Sequence, residues 1–464
     1  MRAMRTLPTL LVAMMLVLPV GVFAQVSSRV SSEEENKALR EKVDRLEADV
    51  EQLKKALEEK PQAAPSQEKP QAAPSQEKPS IRSKFNVDLY GFIKLDAAYM
   101  TAHTDDAGNY ARWVKSEEFN EDDDQFSITA RETRFGLMFQ GPDVASMKTS
   151  ARAEIDFYEG GDENKNRPMM RHAYLQAEWP KLDIGLLAGQ TSDLFSPLVP
   201  ETLNYTVGWW VGNIGYRRPQ LRLSKGFDAG HGVRMLVQVA AARTIGDFGP
   251  FNSGTGDDTG KDAAFPTMQA RYALSFPFLA GKKATAGVSG HYGEEEYNRD
   301  DEGKNSNIAT WSANGELDLP LAAWANFRGE VWTGENVDAY LGGVGQGMVI
   351  ETSDGFHVNA AGATTTATFV RDWPVRSTGG WANLVLGPWR KWRFSTGFSV
   401  DDPDDSDIPN DGGRTWNGTC WGTTTWDLNE ALRVGLEVSY WKTEYKRIAD
   451  GDAVRIQNSF IYRF

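Results

Sequence analysis

Arg134, Arg152, Arg218, Arg222, Arg271 and Arg393 share one property: each sits on the polar phase of a segment in which apolar residues recur at every second position. A guanidinium stays charged under ordinary conditions and presents a planar fork of donors that matches a carboxylate. Several such groups on one surface could bind, orient or pass small anions. Carboxylates occupy the same phase, among them Asp88, Asp96, Glu132, Glu154, Glu316, Glu330 and Glu437, and the two signs nearly balance. A charge count therefore does not set ion preference. The arrangement does, because opposed cationic and anionic walls create a transverse field.

The elements that must carry these side chains are strands. Phe85, Val87, Leu89, Ile93, Leu95, Ala97 and Tyr99 share one face, while Asn86, Asp88, Tyr90, Lys94 and Asp96 share the other. The pattern continues to the end of the chain in about sixteen segments, including 126–139, 148–158, 169–179, 181–190 and 217–226. Their connections alternate strictly. Short ones such as 141–147, 226–230, 319–321 and 428–431 are interleaved with long polar ones such as 101–125, 191–216, 334–376 and 401–414. An even-stranded barrel with short turns at one rim and long loops at the other requires that alternation, whereas a soluble sandwich has no reason for it. Trp179, Phe276, Trp389, Trp392 and Phe464 fall beside short turns, where an interfacial girdle belongs. The chain also closes on an alternating strand with Phe460, Tyr462 and Phe464 on one face, like the terminal strand of bacterial outer-membrane barrels. The expected fold class is an all-β transmembrane barrel of antiparallel strands over residues 82–464, wide enough to enclose water.

Composition agrees once the period is known. The 464 residues carry a formal net charge of −14 and a mean hydropathy of −0.48. That average excludes a helical membrane protein but not a barrel, whose strands alternate. The acidity argues against a nucleic-acid partner. A lone cysteine, Cys420, excludes an internal disulfide and a cysteine-based zinc site. No cofactor is expected. An enzymatic role is not expected either: His172 and His291 fall among pore-wall residues, and the chain has no GxSxG elbow. The Asp-rich seventh loop lacks regular metal-ligand spacing and reads as a solvated surface.

The third long loop, 191–216, carries Leu194, Phe195, Leu198 and Val199, which are out of place in a loop that faces only water. We expect it to fold into the lumen as a constriction beside Arg218 and Arg222. Packing of the same residues at a subunit interface is the alternative.

Upstream of the barrel the sequence changes character twice. Residues 1–24 hold Arg2 and Arg5, an apolar run and Val22-Phe23-Ala24, the pattern of a secretory signal peptide. Within 25–60, Asn36, Val43, Val50 and Leu57 fall at one heptad core position and Leu39, Leu46 and Leu53 at the other. A helix of that length is marginal alone, so the seam predicts self-association as a coiled coil, with packing of a single helix on its own barrel as the alternative. The nonapeptide QAAPSQEKP then repeats at 62–70 and 71–79, making 61–81 a proline-rich spacer.

Taken in order, the heptad segment, Tyr90-Gly-Phe-Ile-Lys-Leu-Asp96, Glu132-Thr-Arg-Phe-Gly136, Ala153-Glu-Ile-Asp-Phe157, Arg171-His-Ala-Tyr174, Gly189-Gln190, Gly215-Tyr-Arg-Arg-Pro-Gln220 and Ser459-Phe-Ile-Tyr-Arg-Phe464 resemble the DcaP-like porins. The resemblance covers roughly 82–464 and the N-terminal helix. It implies a trimeric, sixteen-stranded porin in the outer membrane of a Gram-negative bacterium, with its coiled coil in the periplasm. It also implies passage of small anionic solutes such as dicarboxylates, with contact at Arg134, Arg218 and Arg222. The partners so implied are outer-membrane lipid, two further copies of the chain and the solute. A second reading makes the barrel an anchor whose coiled coil tethers the membrane to the cell wall or to a periplasmic protein. Deleting 29–60 tests the heptad: the trimer should be lost in mild detergent, and a trimer that survives unaltered shows that the coiled coil does not set stoichiometry.

Overall fold

A computed structural model describes residues 86–104, 109–119, 123–158, 165–246, 258–279, 281–298, 305–353, 355–359, 368–409 and 412–464. The signal peptide, the heptad segment and the proline-rich spacer lie outside the described residues.

The first half of the barrel comprises β1 (Asn86–Met100), β2 (Gln125–Thr129), β3 (Arg134–Gln140), β4 (Lys148–Asp156), β5 (Met169–Trp179), β6 (Ile184–Ser192), β7 (Arg217–Gly230), β8 (Val233–Ala242) and β9 (Thr267–Leu279). The second half comprises β10 (Lys282–Asn298), β11 (Asn305–Ala322), β12 (Ala325–Glu335), β16 (Arg376–Trp389), β17 (Trp392–Pro403), β18 (Arg414–Asp427), β19 (Leu432–Tyr445) and β20 (Gly451–Arg463). The segment between β12 and β16, read from sequence as plain loop, folds as a separate three-stranded sheet of β13 (Met348–Thr352), β14 (Gly355–Val358) and β15 (Phe369–Pro374).

The barrel strands pair antiparallel throughout, β12 with β16 across the intervening segment, and β1 closes the cylinder on β20, from Phe92 opposite Arg463 to Met100 opposite Arg455. The second strand is broken. Both β2 and β3 pair with β1, with residues 130–133 turning out of the ladder between them. Counting β2 and β3 as one interrupted strand, the barrel has the sixteen strands anticipated from the alternation. Closure leaves no open sheet edge, which a lipid-facing sheet cannot tolerate.

The two faces separate as the period requires. Leu89, Ile93, Phe126, Leu175, Leu221, Val288, Val331 and Phe398 point outward and are exposed. The short-turn rim carries an aromatic belt in which Trp392 stacks on Trp426 at 5.4 Å, Trp324 meets Trp389 at 5.5 Å and Phe464 meets Phe135 at 6.0 Å. An outward apolar band with such a belt is the surface expected against lipid. The buried hydrophobic clusters lie mainly inside the cylinder. Phe195 and Ile214 pack there with Trp332, Val337 and Tyr340, and Tyr110, Tyr158, Tyr205, Trp209 and Trp210 form a second group.

Val331 sits mid-strand on the outward face and is 67% exposed. Val331→Arg should destabilise the barrel in vesicles by about 2–4 kcal/mol, read from its urea midpoint, whereas Gln176→Arg on the inward face should leave the midpoint nearly unchanged. Equal costs at the two positions would contradict this assignment of faces.

Candidate functional site

The loop between β6 and β7, residues 193–216 and here termed L3, leaves the wall and runs across the lumen. Irregular backbone in such a place needs partners for its N–H and C=O groups, and inward side chains of the far wall supply them. Glu330 on β12 accepts from Ser196 Oγ at 2.5 Å and from the Leu198 amide at 2.8 Å. Asn383 on β16 accepts from the Glu201 amide at 2.9 Å, and Ser395 on β17 donates to the Glu201 carbonyl at 2.7 Å. Glu437 on β19 accepts from Thr202 Oγ1 at 2.7 Å and from the Leu203 amide at 2.6 Å. Lys94 Nζ on β1 and Gln457 Nε2 on β20 both donate to the Leu203 carbonyl at 2.9 Å. Further along, Trp332 Nε1 donates to the Gly212 carbonyl and Ser399 Oγ to that of Val211. Gly212 lies flush on the wall at φ +120°, where an added Cβ would stand 2.4 Å from the carbonyl oxygens of Gly380 and Val400.

The stem of L3 is closed by Asp193 and Tyr216, whose backbones bond at 2.9 Å. Arg218 secures that stem. Its Nε lies 2.8 Å from Asp193 Oδ1, its Nη2 donates to the Ala339 carbonyl at 3.2 Å and its guanidinium sits 3.9 Å from the Tyr340 ring centroid. The residue is wholly buried. Arg218 therefore departs from the sequence expectation that it lines the constriction: the long loop after β12, residues 336–375, covers it, and it joins that loop to L3 instead of meeting solute. The four apolar residues of L3 divide similarly. Leu194 and Phe195 are buried, with Phe195 stacked on His291 at 4.5 Å, whereas Leu198 is half-buried and Val199 is exposed.

L3 bonds to β12, β16, β17, β19, β20 and β1 and also reaches β4 and β5 through Tyr205 and β9 through Leu194, and the inner faces of β3 to β9 carry a cluster of arginines. Glu154 on β4 is the hub. Arg152 Nη2 lies 2.6 Å from its Oε2 and Arg171 Nε 2.7 Å from its Oε1, while Arg134 Nε stands 3.6 Å away. Tyr90 donates to Glu154 at 2.8 Å and accepts from Arg152 Nε at 2.5 Å. Arg171 also reaches Asp156 at 2.5 Å, and Tyr205 of L3 donates to the same carboxylate at 2.5 Å. Burial raises the Tyr205 phenol, so it remains a protonated donor.

Arg271 on β9 is bound by Glu316, with Nη2 to Oε1 at 2.5 Å. Arg222 on β7 differs: its hydrogen bonds go to Gln220 Oε1 and the Ser192 carbonyl, and among the described residues no carboxylate lies within ion-pair distance of it. Along this wall the guanidiniums of Arg134, Arg152, Arg171, Arg222, Arg234 and Arg271 are interleaved with the carboxylates of Glu154, Asp156, Glu178 and Asp183, and Arg271 pairs with Glu316 of β11. Below L3 the wall opens into a hollow of about 600 Å³ whose polar lining includes Gln176, Glu178, Asp183, Arg222, Arg234 and Gln238. Arg393, the last of the expected arginines, lies apart from this group at the short-turn end of β17, 3.6 Å from Glu201.

Strict alternation misses Arg171. The β4–β5 register shifts between Glu154 and Ile155, so Glu154 pairs with His172 and Ile155 with Met170, leaving Arg171 as the extra residue of a bulge. Both Arg171 and His172 consequently reach Glu154, at 2.7 and 3.7 Å. Two adjacent polar residues in an otherwise alternating strand are the trace of that bulge in the sequence. The Asp-rich loop after β17 stands at the long-loop rim, where Arg376 holds Asp404 at 3.0 Å and Asp407 at 2.8 Å. Among the described residues no cluster is suited to a metal ion.

The structure of the outer membrane channel DcaP of Acinetobacter baumannii aligns over 82% of this chain and 98% of that one, with a TM-score of 0.62 at 17% identity. The chain has the fold of DcaP. Also similar are an anion-selective porin from Comamonas acidovorans (TM-score 0.48, 10% identity, 82% of this chain and 100% of that one) and OprB of Pseudomonas putida (TM-score 0.49, 11% identity, 83% and 95%). No protein-family model and no curated protein matches the sequence.

Arg218→Ala strands Asp193 in the interior and should cost about 3–5 kcal/mol. Gly212→Val should lift L3 from the wall without removing any charge. Both variants should raise single-channel conductance by releasing L3; conductance unchanged in folded protein would show that L3 does not set the bore.

Proposed function

We propose that this chain is a DcaP-like outer-membrane porin, a water-filled channel for passive uptake of small hydrophilic anions of the dicarboxylate type. The observation that carries the proposal is Arg222, an arginine lining the hollow below L3 whose hydrogen bonds go only to neutral groups. A solute passing there meets Arg222 without a carboxylate partner among the described residues, with Glu178 and the Arg234–Asp183 pair further along the same hollow. Arg222 and Arg134 hold unspent capacity: Arg222 has only neutral partners, and Arg134 makes no hydrogen bond among the described residues. A carboxylate can take two parallel hydrogen bonds from such a fork. Two carboxylates on a short linker could engage two arginines of the wall at once, and Arg152 and Arg271 flank the path in ion pairs that a solute can share. The remaining inward polar groups, Gln176, Ser224 and Gln238, replace hydration during passage.

The sidedness follows from the same reading. The short-turn rim, where β20 ends, faces the periplasm and the long loops face outward, as in bacterial outer-membrane barrels. The signal peptide of 1–24 delivers the chain to that compartment, and the heptad of 25–60 gathers three copies on the periplasmic side.

Reversal potentials in asymmetric potassium chloride, then in potassium succinate, test the proposal. The wild-type channel should favour anions, and Arg222→Gln should lower the anion-to-cation permeability ratio several-fold. A ratio near that of free diffusion in the wild type, or one that Arg222→Gln leaves unmoved, contradicts it.

A further inference from the structure

Arg393, Arg433 and Arg463 come together at the short-turn mouth, on the inward faces of β17, β19 and β20. Asp427 on β18 is their shared counter-ion, and it is largely committed to Arg433: Nε lies at 2.6 Å from one oxygen and Nη2 at 2.8 Å from the other. Arg463 Nη1 stands 3.8 Å from the same carboxylate. Neither Arg393 nor Arg463 makes a side-chain hydrogen bond among the described residues, and their side chains are 37% and 40% exposed. Both line a cleft of about 740 Å³ between the turns 390–391 and 428–431, whose charged lining also includes Arg390, Lys391, Asp427 and Glu430. Three guanidiniums around one carboxylate repel one another, so the cluster carries a standing demand for an anion.

Glu201 of L3 partly answers that demand from above. Its carboxylate lies 3.6 Å from Arg393, is 29% exposed and forms no hydrogen bond among the described residues, while its backbone is fixed by Asn383 and Ser395. It is a loosely held internal anion beside an unfilled cationic cleft. We propose that this mouth is a second anion-binding station, in which Arg393 and Arg463 receive a carboxylate of the departing solute and Glu201 is the internal ligand it replaces. The station rests on the anion-porin reading and adds to it a handover: a dicarboxylate leaving the arginine wall exchanges into the mouth before release to the periplasm. It also gives the channel a functional asymmetry that the wall around Glu154 does not supply.

Block of chloride current by succinate, added to one side at a time of the full-length channel in planar bilayers, tests the station. Replacing both forks in Arg393→Gln plus Arg463→Gln should raise the blocking concentration from the short-turn side by about tenfold, the effect of one charge-assisted hydrogen bond. Block from the long-loop side should stay within about twofold, because the arginine wall is intact. Glu201→Gln removes the competing carboxylate and should strengthen block from the short-turn side. Heat-modifiable mobility verifies folding of each variant. Unchanged block in the double variant, or weaker block in Glu201→Gln, overturns the station while leaving the arginine wall in place. A wild-type channel without anion preference, blocked by succinate from neither side, overturns the underlying reading and the station with it.

Discussion

The architecture depends on inward carboxylates that accept hydrogen bonds from loop backbone. Glu330 and Glu437 bind amides of L3, and Asp401 on β17 receives the Val344 amide of the loop after β12 at 3.2 Å. A barrel of this width has no side-chain core of its own, so a loop entering it must find partners for its peptide groups on the wall or leave them in water. Carboxylates serve because each offers several lone pairs in a fixed place. The result is a lumen narrowed by folded loop, which Tyr205 also ties to Asp156 and Arg171. Arg218 completes the arrangement by tying the stem of L3 to the second loop in a buried pair with Asp193.

Inward carboxylates hold the loops together with buried Lys94 and Arg218, while Arg152 and Arg222 stay half-buried toward the lumen. The sequence contains nearly as many inward acids as bases, yet the two sets are not equally available. Glu330, Glu437 and Asp401 are buried beneath the loops they bind. Arg134, Arg152 and Arg222 remain on the opposite wall, with one carboxylate hub among them at Glu154. In the proposed channel, anion preference would depend on where the carboxylates are used and not on how many there are. At the long-loop rim Arg376 pairs with Asp404 and Asp407, two of the five aspartates between 401 and 407.

Much of this was legible in the sequence because side-chain direction in a strand has a period of two and a barrel enforces it throughout. The strand spans, the alternation of rims and the aromatic belt follow from that one rule. Entry of L3 was legible from Leu194 and Phe195, which would be costly in open water. What stayed hidden arises where the period breaks or where a distant segment intervenes. The break at 130–133 and the bulge at Arg171 each move side chains off the alternating phase. The burial of Arg218 depends on residues 339 and 340, more than a hundred positions away, and no local pattern reports such a contact. The small sheet of β13 to β15 was obscured for a related reason: its strands are short and sit within a long polar connection.

Under the proposed channel function the solute path runs beside Arg222 and not where Glu330, Asn383 and Glu437 hold L3. Cysteine accessibility measures this directly. In a Cys420→Ser background, Gln176→Cys places a thiol in the hollow beside Arg222, whereas Ser395→Cys places one beneath L3, where the residue is 5% exposed. A negatively charged methanethiosulfonate should modify the first quickly and reduce the current, and should leave the second unmodified. Rapid modification at 395 with protection at 176 would place the path on the other side of L3 and contradict the account.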